Sequence, residues 1–266
     1  MPRVREVVEW LDERFPPFLA EEWDNTGLLL GDASRDISRV MTCLTLTEAV
    51  ATEAVDGGVG LVVTHHPVLF RGAKSLTAAT PQGRTVMRLL ENRVAVHSPH
   101  TRFDSATEGI NARIAKTLSL RDVNPIRASA EDAAVGGGRV GDLAEPLTVD
   151  DFAAAVAAAL DVDGLHTVVA GRETVSRVAI ACGAAGDFLA DAADAGADAF
   201  IVGECRFHAA VEAEERGVAL FVPGHFASER HAVVSLAGEI ADAFPGVSAD
   251  ASQVDRDPLV WVSFAG

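Results

Sequence analysis

Apolar runs of strand length alternate with amphipathic helical patterns along most of the chain, which predicts βα units and mixed sheets covered by helices. Val4–Phe15 has the spacing of an opening helix, closed by Pro16-Pro17. Val40–Leu46 reads as a strand, Thr47 as the N-cap of a helix through Asp56, and Gly57-Gly58 as its stop. Leu61–Thr64 is a second strand. Thr80-Pro81 supplies an N-cap and a first-turn proline for a helix to about Asn92, which feeds a strand at Val94–His97. After Leu120 the pattern loosens, and Gly136-Gly137-Gly138 reads as a linker-like break. Thr148 then caps an Ala-rich helix, alternation resumes at Arg177, and Leu259–Phe264 reads as an edge or closing strand.

The two halves of the chain repeat one another. Ser38-Arg39-Val40 matches Ser176-Arg177-Val178, and at the same offset Ala54-Val55-Asp56-Gly57-Gly58 matches Ala192-Ala193-Asp194-Ala195-Gly196. In both copies a helix ends at the glycine and a strand follows, Leu61–Thr64 in one and Ala199–Val202 in the other. The expectation is therefore an α/β fold of two related lobes, each a mixed sheet flanked by helices. Residues 1–128, completed by 236–266, form the first lobe and residues 129–235 the second.

The next strands of the two copies, Val94–Val96 and Val218–Leu220, both lead to a proline and then to His-x-x-x-carboxylate: His100 to Asp104, and His225 to Glu229. A third strand end, Thr64-His65-His66-Pro67, adds two adjacent imidazoles. In parallel α/β sheets the loops after the strand C-termini gather at one edge, where ligands bind. Lobes facing across a pseudo-dyad would bring these donors into one cleft. Successive side chains on a strand diverge, so His65 and His66 reach two ions more naturally than they chelate one. Asp104 and Glu229 supply anionic oxygens, and imidazole with carboxylate suits zinc, iron, manganese, cobalt or nickel. His225 and Glu229 share a helix face only if that helix begins by His225.

Other residues in these segments have plainer readings. Asp104 alone could form an Asx-turn or cap the helical pattern after Glu108-Gly109, and His97, His166 and His231 read as hydrogen-bonded structural groups. His100 and His208 either support the ligands or contact substrate. Glu204 falls opposite His66 in the repeat, although Cys205-Arg206 could simply start a helix. Trp23-Asp24-Asn25-Thr26-Gly27 reads as a turn into the strand Leu28–Leu30 with Trp23 as packing, and Gly183-Ala184-Ala185-Gly186 as a tight strand-to-helix turn.

Composition narrows the functional classes. The 266 residues carry 39 acidic against 22 basic side chains, a net charge of −17, and only Lys74 and Lys116 are lysines. That balance repels phosphate backbones and argues against nucleic acid as a partner. It fits a salt-adapted source, and high-GC codon usage accounts for the lysine depletion equally well. Cys43, Cys182 and Cys205 are odd in number and lack C-x-x-C spacing, so they read as buried free thiols. No apolar stretch reaches the length of about 18 residues that a membrane span needs, and the acidic N-terminal pattern has no signal core, so a cytoplasmic protein without membrane contact is expected.

Taken in order, Trp23-Asp24-Asn25-Thr26-Gly27-Leu28, Thr64-His65-His66-Pro67, His100-Thr101-x-x-Asp104, Gly203-Glu204 and Gly224-His225-x-x-Ser228-Glu229 resemble the Nif-three-like dinuclear metal family, whose members are also called GTP cyclohydrolase 1 type 2 homologues. The resemblance spans nearly the whole chain. It implies two divalent metal ions per chain between two α/β lobes, with His66 and Asp104 on one ion, His65 and His225 on the other, and Glu229 as the bridge. It also implies a homo-oligomer, a toroidal hexamer, and a hydrolase acting on a small molecule: a nucleotide or related heterocycle opened at its ring or cleaved at a phosphoester. Arg102, Arg206 and His208 are then the first candidates for contacting a phosphate or base. A ring-shaped metal-binding scaffold without catalysis is the alternative. Two positions depart from the family pattern: Thr45 stands where relatives commonly have Asp, and Arg102-Phe103 replaces the commoner Asn-Leu.

Overall fold

The structure is a computed structural model that describes residues 1–260 and 262. The first half runs α1 (Val4–Arg14), β1 (Gly27–Leu30), β2 (Arg39–Thr45), α2 (Glu48–Asp56), β3 (Leu61–His66), α3 (Pro81–Glu91), β4 (Ala95–Ser98), α4 (His100–Ser105) and α5 (Ile110–Thr117). The second continues with β5 (Arg121–Asn124), β6 (Arg127–Ala128), β7 (Gly136–Gly137), β8 (Arg139–Thr148), α6 (Val149–Leu160), β9 (His166–Val168), β10 (Thr174–Ala181), α7 (Leu189–Asp194), β11 (Ala199–Val202), α8 (Phe207–Arg216), β12 (Ala219–Val222), α9 (His225–Ala243) and β13 (Ser248–Ala251). Local chemistry sets the helix starts. Thr47, Thr80 and Thr148 each accept a hydrogen bond from the backbone N–H three residues on, at 3.3, 3.0 and 3.1 Å.

Two sheets result, in the strand orders β1-β4-β3-β2-β13 and β5-β8-β10-β11-β12-β9, with β6 and β7 as a separate short pair. Their parallel centres are equivalent in register. Val40 pairs with Leu61 as Val178 pairs with Ala199, and Leu61 pairs with Ala95 as Ala199 pairs with Ala219. On the corresponding side each triple is flanked by an antiparallel strand, β1 beside β4 and β9 beside β12, while on the other side β2 takes parallel β13 and β10 takes antiparallel β8. The repeat in the sequence is thus a repeat of hydrogen-bonded sheet.

Alternation along the strands feeds three apolar layers. Val40, Leu61, Val63, Val178, Ile180 and Ala199 on the facing sides of the two sheets pack with α1, α5, α6 and α9 into a shared core that includes Phe15, Phe103, Phe152 and Phe221. Met41, Cys43, Val62 and Val96 face outward under α2 and α3, and Ala179, Ala181, Phe200 and Val202 face outward under α7 and α8. Cys43 is therefore a core residue, and burial pushes its thiol up to about 12.

The chain enters the second sheet at β5, before residue 128, and leaves it after β12. It returns through α9, which packs on β2 and β13, while β13 adds a parallel edge to β2. The first sheet therefore closes at Ser248–Ala251 and not at the expected Leu259–Phe264. Leu259, Val260 and Val262 lie in no strand, and the rest of that segment falls outside the described residues. Gly136-Gly137-Gly138 is a packed crossing, not a linker: Gly136 has φ +145°, and a Cβ there would stand 2.1 Å from the Arg127 carbonyl oxygen. Among the described residues no helix is long and apolar enough to cross a membrane.

Two buried polar clusters brace the fold, and the first ties the halves together. Arg139 donates to the carbonyls of Gly136 and Gly138 at 2.7 and 2.6 Å and to those of Ser105 and Ala106, at the end of α4, at 3.0 and 2.7 Å. Burial lowers its pKa to about 10, so it remains charged at neutral pH. Arg102, also buried, bonds Asp12 at 2.8 Å and stands 3.3 Å from His97 Nε2. Burial, aided by the Arg102 charge, depresses the His97 pKa below 6.5 although Asp12 opposes it.

Arg139→Leu leaves several carbonyls without partners, and urea unfolding should show a loss of at least about 3 kcal/mol. A loss below about 1 kcal/mol would show that water replaces the guanidinium there. For His97, protonation favours the unfolded chain: the stability from keeping it neutral is complete above pH 6.5 and disappears as pH falls through 6.5 toward the depressed folded-state value. His97→Gln should flatten the urea midpoint's pH dependence in that window, and an unchanged slope would mean that His97 does not titrate there.

Candidate metal centre

Both sheets present their strand C-termini to a common cleft. His65 and His66 end β3, Asp104 lies on α4 just after β4, Gly183 follows β10, and His225 opens α9 directly after β12. The expected donors His65, His66, Asp104, His225 and Glu229 all meet there. Because α9 begins at His225, the pair to Glu229 spans one helical turn, and Nε2 to Oε2 is 3.1 Å. His66 Nε2 lies 3.2 Å from the same Glu229 oxygen and 3.2 Å from His225 Nε2. His65 Nε2 lies 3.7 Å from both Asp104 Oδ1 and Glu229 Oε1.

These distances sort the donors into His66, His225 and Glu229 on one side and His65, Asp104 and Glu229 on the other. That differs from the grouping the family resemblance implies, which places His66 with Asp104 and His65 with His225. The strand pleat is the reason. His65 turns inward beside Asp104 and is 2 % exposed, whereas His66 turns outward toward Thr45 and His225. Glu229 belongs to both groups. A third set, His65, His66 and His100, also lies within 4.8 Å of one another.

The polar atoms here are poorly satisfied by the chain itself. Neither nitrogen of buried His65 has a hydrogen-bond partner, nor does Glu229 Oε2, and the 3.7 Å contacts are too long for hydrogen bonds. A cation about 2.1 Å from each donor would fit such separations. Glu229 is 3 % exposed, and although burial alone would raise its pKa, the His65 charge and the close approach of the His225 and His66 rings hold it well below the ordinary value. The adjacent Glu229 carboxylate is the main reason that the His225 imidazole is raised to about 9. Asp104 is raised by burial, and His66 is lowered by burial. His65 is raised because Glu229 and Asp104 outweigh its desolvation. A cation bound by these donors would displace protons from His65 and His225, the two imidazoles whose pKa is raised.

Surrounding groups hold the donors in place. Thr45 Oγ1 lies 2.8 Å from His66 Nδ1, so the departure from Asp leaves a neutral partner on that ring. Asp255 fixes the strand end that carries Thr45 by accepting from Leu44 N at 2.6 Å. Cys182 donates its thiol to Asp104 Oδ1 at 3.2 Å, and the buried Asn111 joins the Asp104 carbonyl to the Cys182 N–H at 3.1 and 2.7 Å. Ser228 accepts from Gly183 N at 3.0 Å and donates to the His225 carbonyl at 2.8 Å. At Gly183, φ is +67° and a Cβ would stand 2.3 Å from Glu229 Oε1, so only glycine lets the backbone pass this close.

His100 enters through a partner that residue spacing does not reveal. Asp24, held ionised by bonds from His100, Thr101 and Asn25 that together outweigh its burial, accepts from His100 Nδ1 at 2.7 Å. Nε2 of His100 is left facing the other imidazoles. The surrounding turn is not a packing feature: Trp23 is exposed beside Phe70. Glu204 does not parallel His66 as a donor; it lies 3.4 Å from His225 Nδ1. His231 faces the Ser228 carbonyl at 3.2 Å, and His166 is exposed on β9.

His66, Asp104, His225 and Glu229 floor a cavity of about 450 Å³ lined on one side by Trp23, Phe70 and His100 and on the other by Arg127 and Phe188. The expected phosphate contacts are not there. Arg102 is sequestered with Asp12 and His97, and Arg206 and His208 sit exposed at the start of α8, outside the lining. Arg127 is the cation that the sequence reading missed, since nothing in its surroundings along the chain marks it. Gly183-Ala184-Ala185-Gly186 is the tight strand-to-helix turn expected, and its first three residues form cavity wall.

Comparison with known proteins agrees with this architecture. The chain is 29 % identical to a GTP cyclohydrolase 1 type 2 homolog of Clostridium perfringens, over 98 % of this chain and all of that one. It is 37 % identical to a protein of the same name from Streptomyces coelicolor, over 86 % of this chain and 82 % of that one. Its fold matches the crystal structure of a Bacillus cereus protein related to NIF3, with a TM-score of 0.88 at 21 % identity over 98 % of this chain and 99 % of that one. The sequence profile of Duf34/NIF3 (NGG1p interacting factor 3) matches residues 2–258, and the chain belongs to that family.

Proposed function

We propose that this chain is a cytoplasmic metal-dependent hydrolase that holds two divalent ions and acts on a nucleotide or related heterocycle. The observation that carries the reading is the convergence of five donors, with Glu229 common to two groups and four of the five lining an open cavity. His66, His225 and Glu229 would hold one ion, and His65, Asp104 and Glu229 the other. When bound, such a pair lowers the pKa of water toward about 7 and polarises the group under attack. The chain's own residues do the positioning. Glu229 is held between the two groups by α9, Cys182 orients Asp104, and Asp24 fixes His100 so that its Nε2 can accept a proton or hydrogen bond from substrate. The name carried by the relatives supports cyclohydrolase-type ring opening as one form of this chemistry, with phosphoester cleavage as the other. Assembly as a homohexamer belongs to the same proposal.

A scaffold role has one observation in its favour: the donors come from both lobes, so ions would staple the fold. The open cavity beside them favours catalysis, because a structural site is coordinatively closed.

Protein purified without chelators should carry about two metal ions per chain. Glu229→Ala should lose both together, while a native protein without transition metal would overturn the reading. Gly183→Ala, which pushes on Glu229, should lower metal content at least severalfold by the same elemental analysis. Given metal-replete protein and GTP, formate release means ring opening and free phosphate means ester or anhydride cleavage.

A further inference from the structure

The cavity mouth carries more aromatic surface than the metal centre requires. Trp23 is 60 % exposed and Phe70 43 % exposed, yet neither is loose. Their ring centroids lie 5.8 Å apart and stand 6.2 and 6.0 Å from His100, itself pinned by Asp24. From the other lobe, Phe188 supplies a second ring, with the Arg127 guanidinium stacked 3.8 Å from its centroid. Flat π-surface on both walls suits a flat occupant.

Charge decides which flat occupant. Glu21, Asp104, Asp187 and Glu229 line the cavity, and Arg127 is the one Lys or Arg among the described lining residues. That guanidinium is already matched by Asp187 at 2.9 Å and Asp191 at 2.6 Å. Ions held at Asp104 and Glu229 would place positive charge at the donors and not at the aromatic mouth, where Arg127 is already paired and Glu21 is acidic. The ring that stacks at the mouth is therefore uncharged, and any anionic group it carries would reach toward the donors. His100 Nε2, with Nδ1 committed to Asp24, offers a lone pair to a ring N–H.

We propose that Trp23 and Phe70 form a stacking site for an uncharged, N–H-bearing planar heterocycle, the ring of a purine-like base. The inference rests on the hydrolase reading above only for the orientation of the ring toward the donors.

Metal-replete protein titrated with guanosine should show quenching of tryptophan emission and bind it at least tenfold more tightly than ribose, which lacks the ring. Trp23→Ala should weaken guanosine binding roughly 5- to 100-fold, the span of one lost stacking contact, and Trp23→Phe should restore most of it. Ribose binding as tightly as guanosine, or unchanged guanosine affinity in Trp23→Ala, would overturn the proposal. Metal content measured on the same samples separates the two readings. Protein that holds metal but binds no guanosine defeats the stacking site alone, and metal-free protein that still binds guanosine through Trp23 defeats the hydrolase reading alone.

Discussion

A carboxylate buried as fully as Glu229 costs several kcal/mol unless opposite charge meets it. Here three imidazoles from one strand end and a helix start surround it, with Asp104 on the far side of His65. Everything else near the cleft is arranged around keeping those groups together. Ser228 seats the first turn of α9 on Gly183, Gly183 has no Cβ to displace the carboxylate, and Asn111 ties α5 to the end of β10. Each contact joins elements distant in sequence, so the site exists only when both sheets are formed and docked.

The docking itself is paid in hydrogen bonds as well as apolar burial. The shared core between the sheets contains the large aromatic residues, but Arg139 crosses from one half to the other with four carbonyl partners and no carboxylate. A full charge held only by backbone dipoles specifies one relative placement of the end of α4 and the start of β8. Apolar side chains alone would tolerate small slips that the donor distances would not. The same stiffness holds His100 at φ +33°, an uncommon conformation for a residue with a Cβ, sustained by the bonds that Asp24 makes to it and to Thr101.

Much of the fold was legible in the chain. Thr47, Thr80 and Thr148 cap helices because a hydroxyl three residues before an unpaired N–H acts locally, wherever the helix later packs. Alternation identified the central strands, and the collinear matches at Val40 and Val178 anticipated an equivalence that extends to hydrogen-bond register. The misread segments were those whose context is distant. Gly136-Gly137-Gly138 has linker composition, yet it is glycine-rich because the Arg127 carbonyl and the Phe188 ring pass against it. Trp23 has the composition of a core residue, yet its turn carries it to the cavity mouth.

By itself the sequence determined the residue types and their strand-end positions: imidazoles and carboxylates where ligands gather in α/β sheets, on two copies of one supersecondary unit. Periodicity, caps and turns depend on neighbours a few residues away, and those are written in order along the chain. The tertiary structure alone decided which donors share a side, that Asp24 holds His100, and that Arg127 lines the cavity while Arg102 is locked away with Asp12. Such pairings depend on the pleat of β3 and on how two sheets stack, and no spacing within one segment encodes the angle at which another segment arrives.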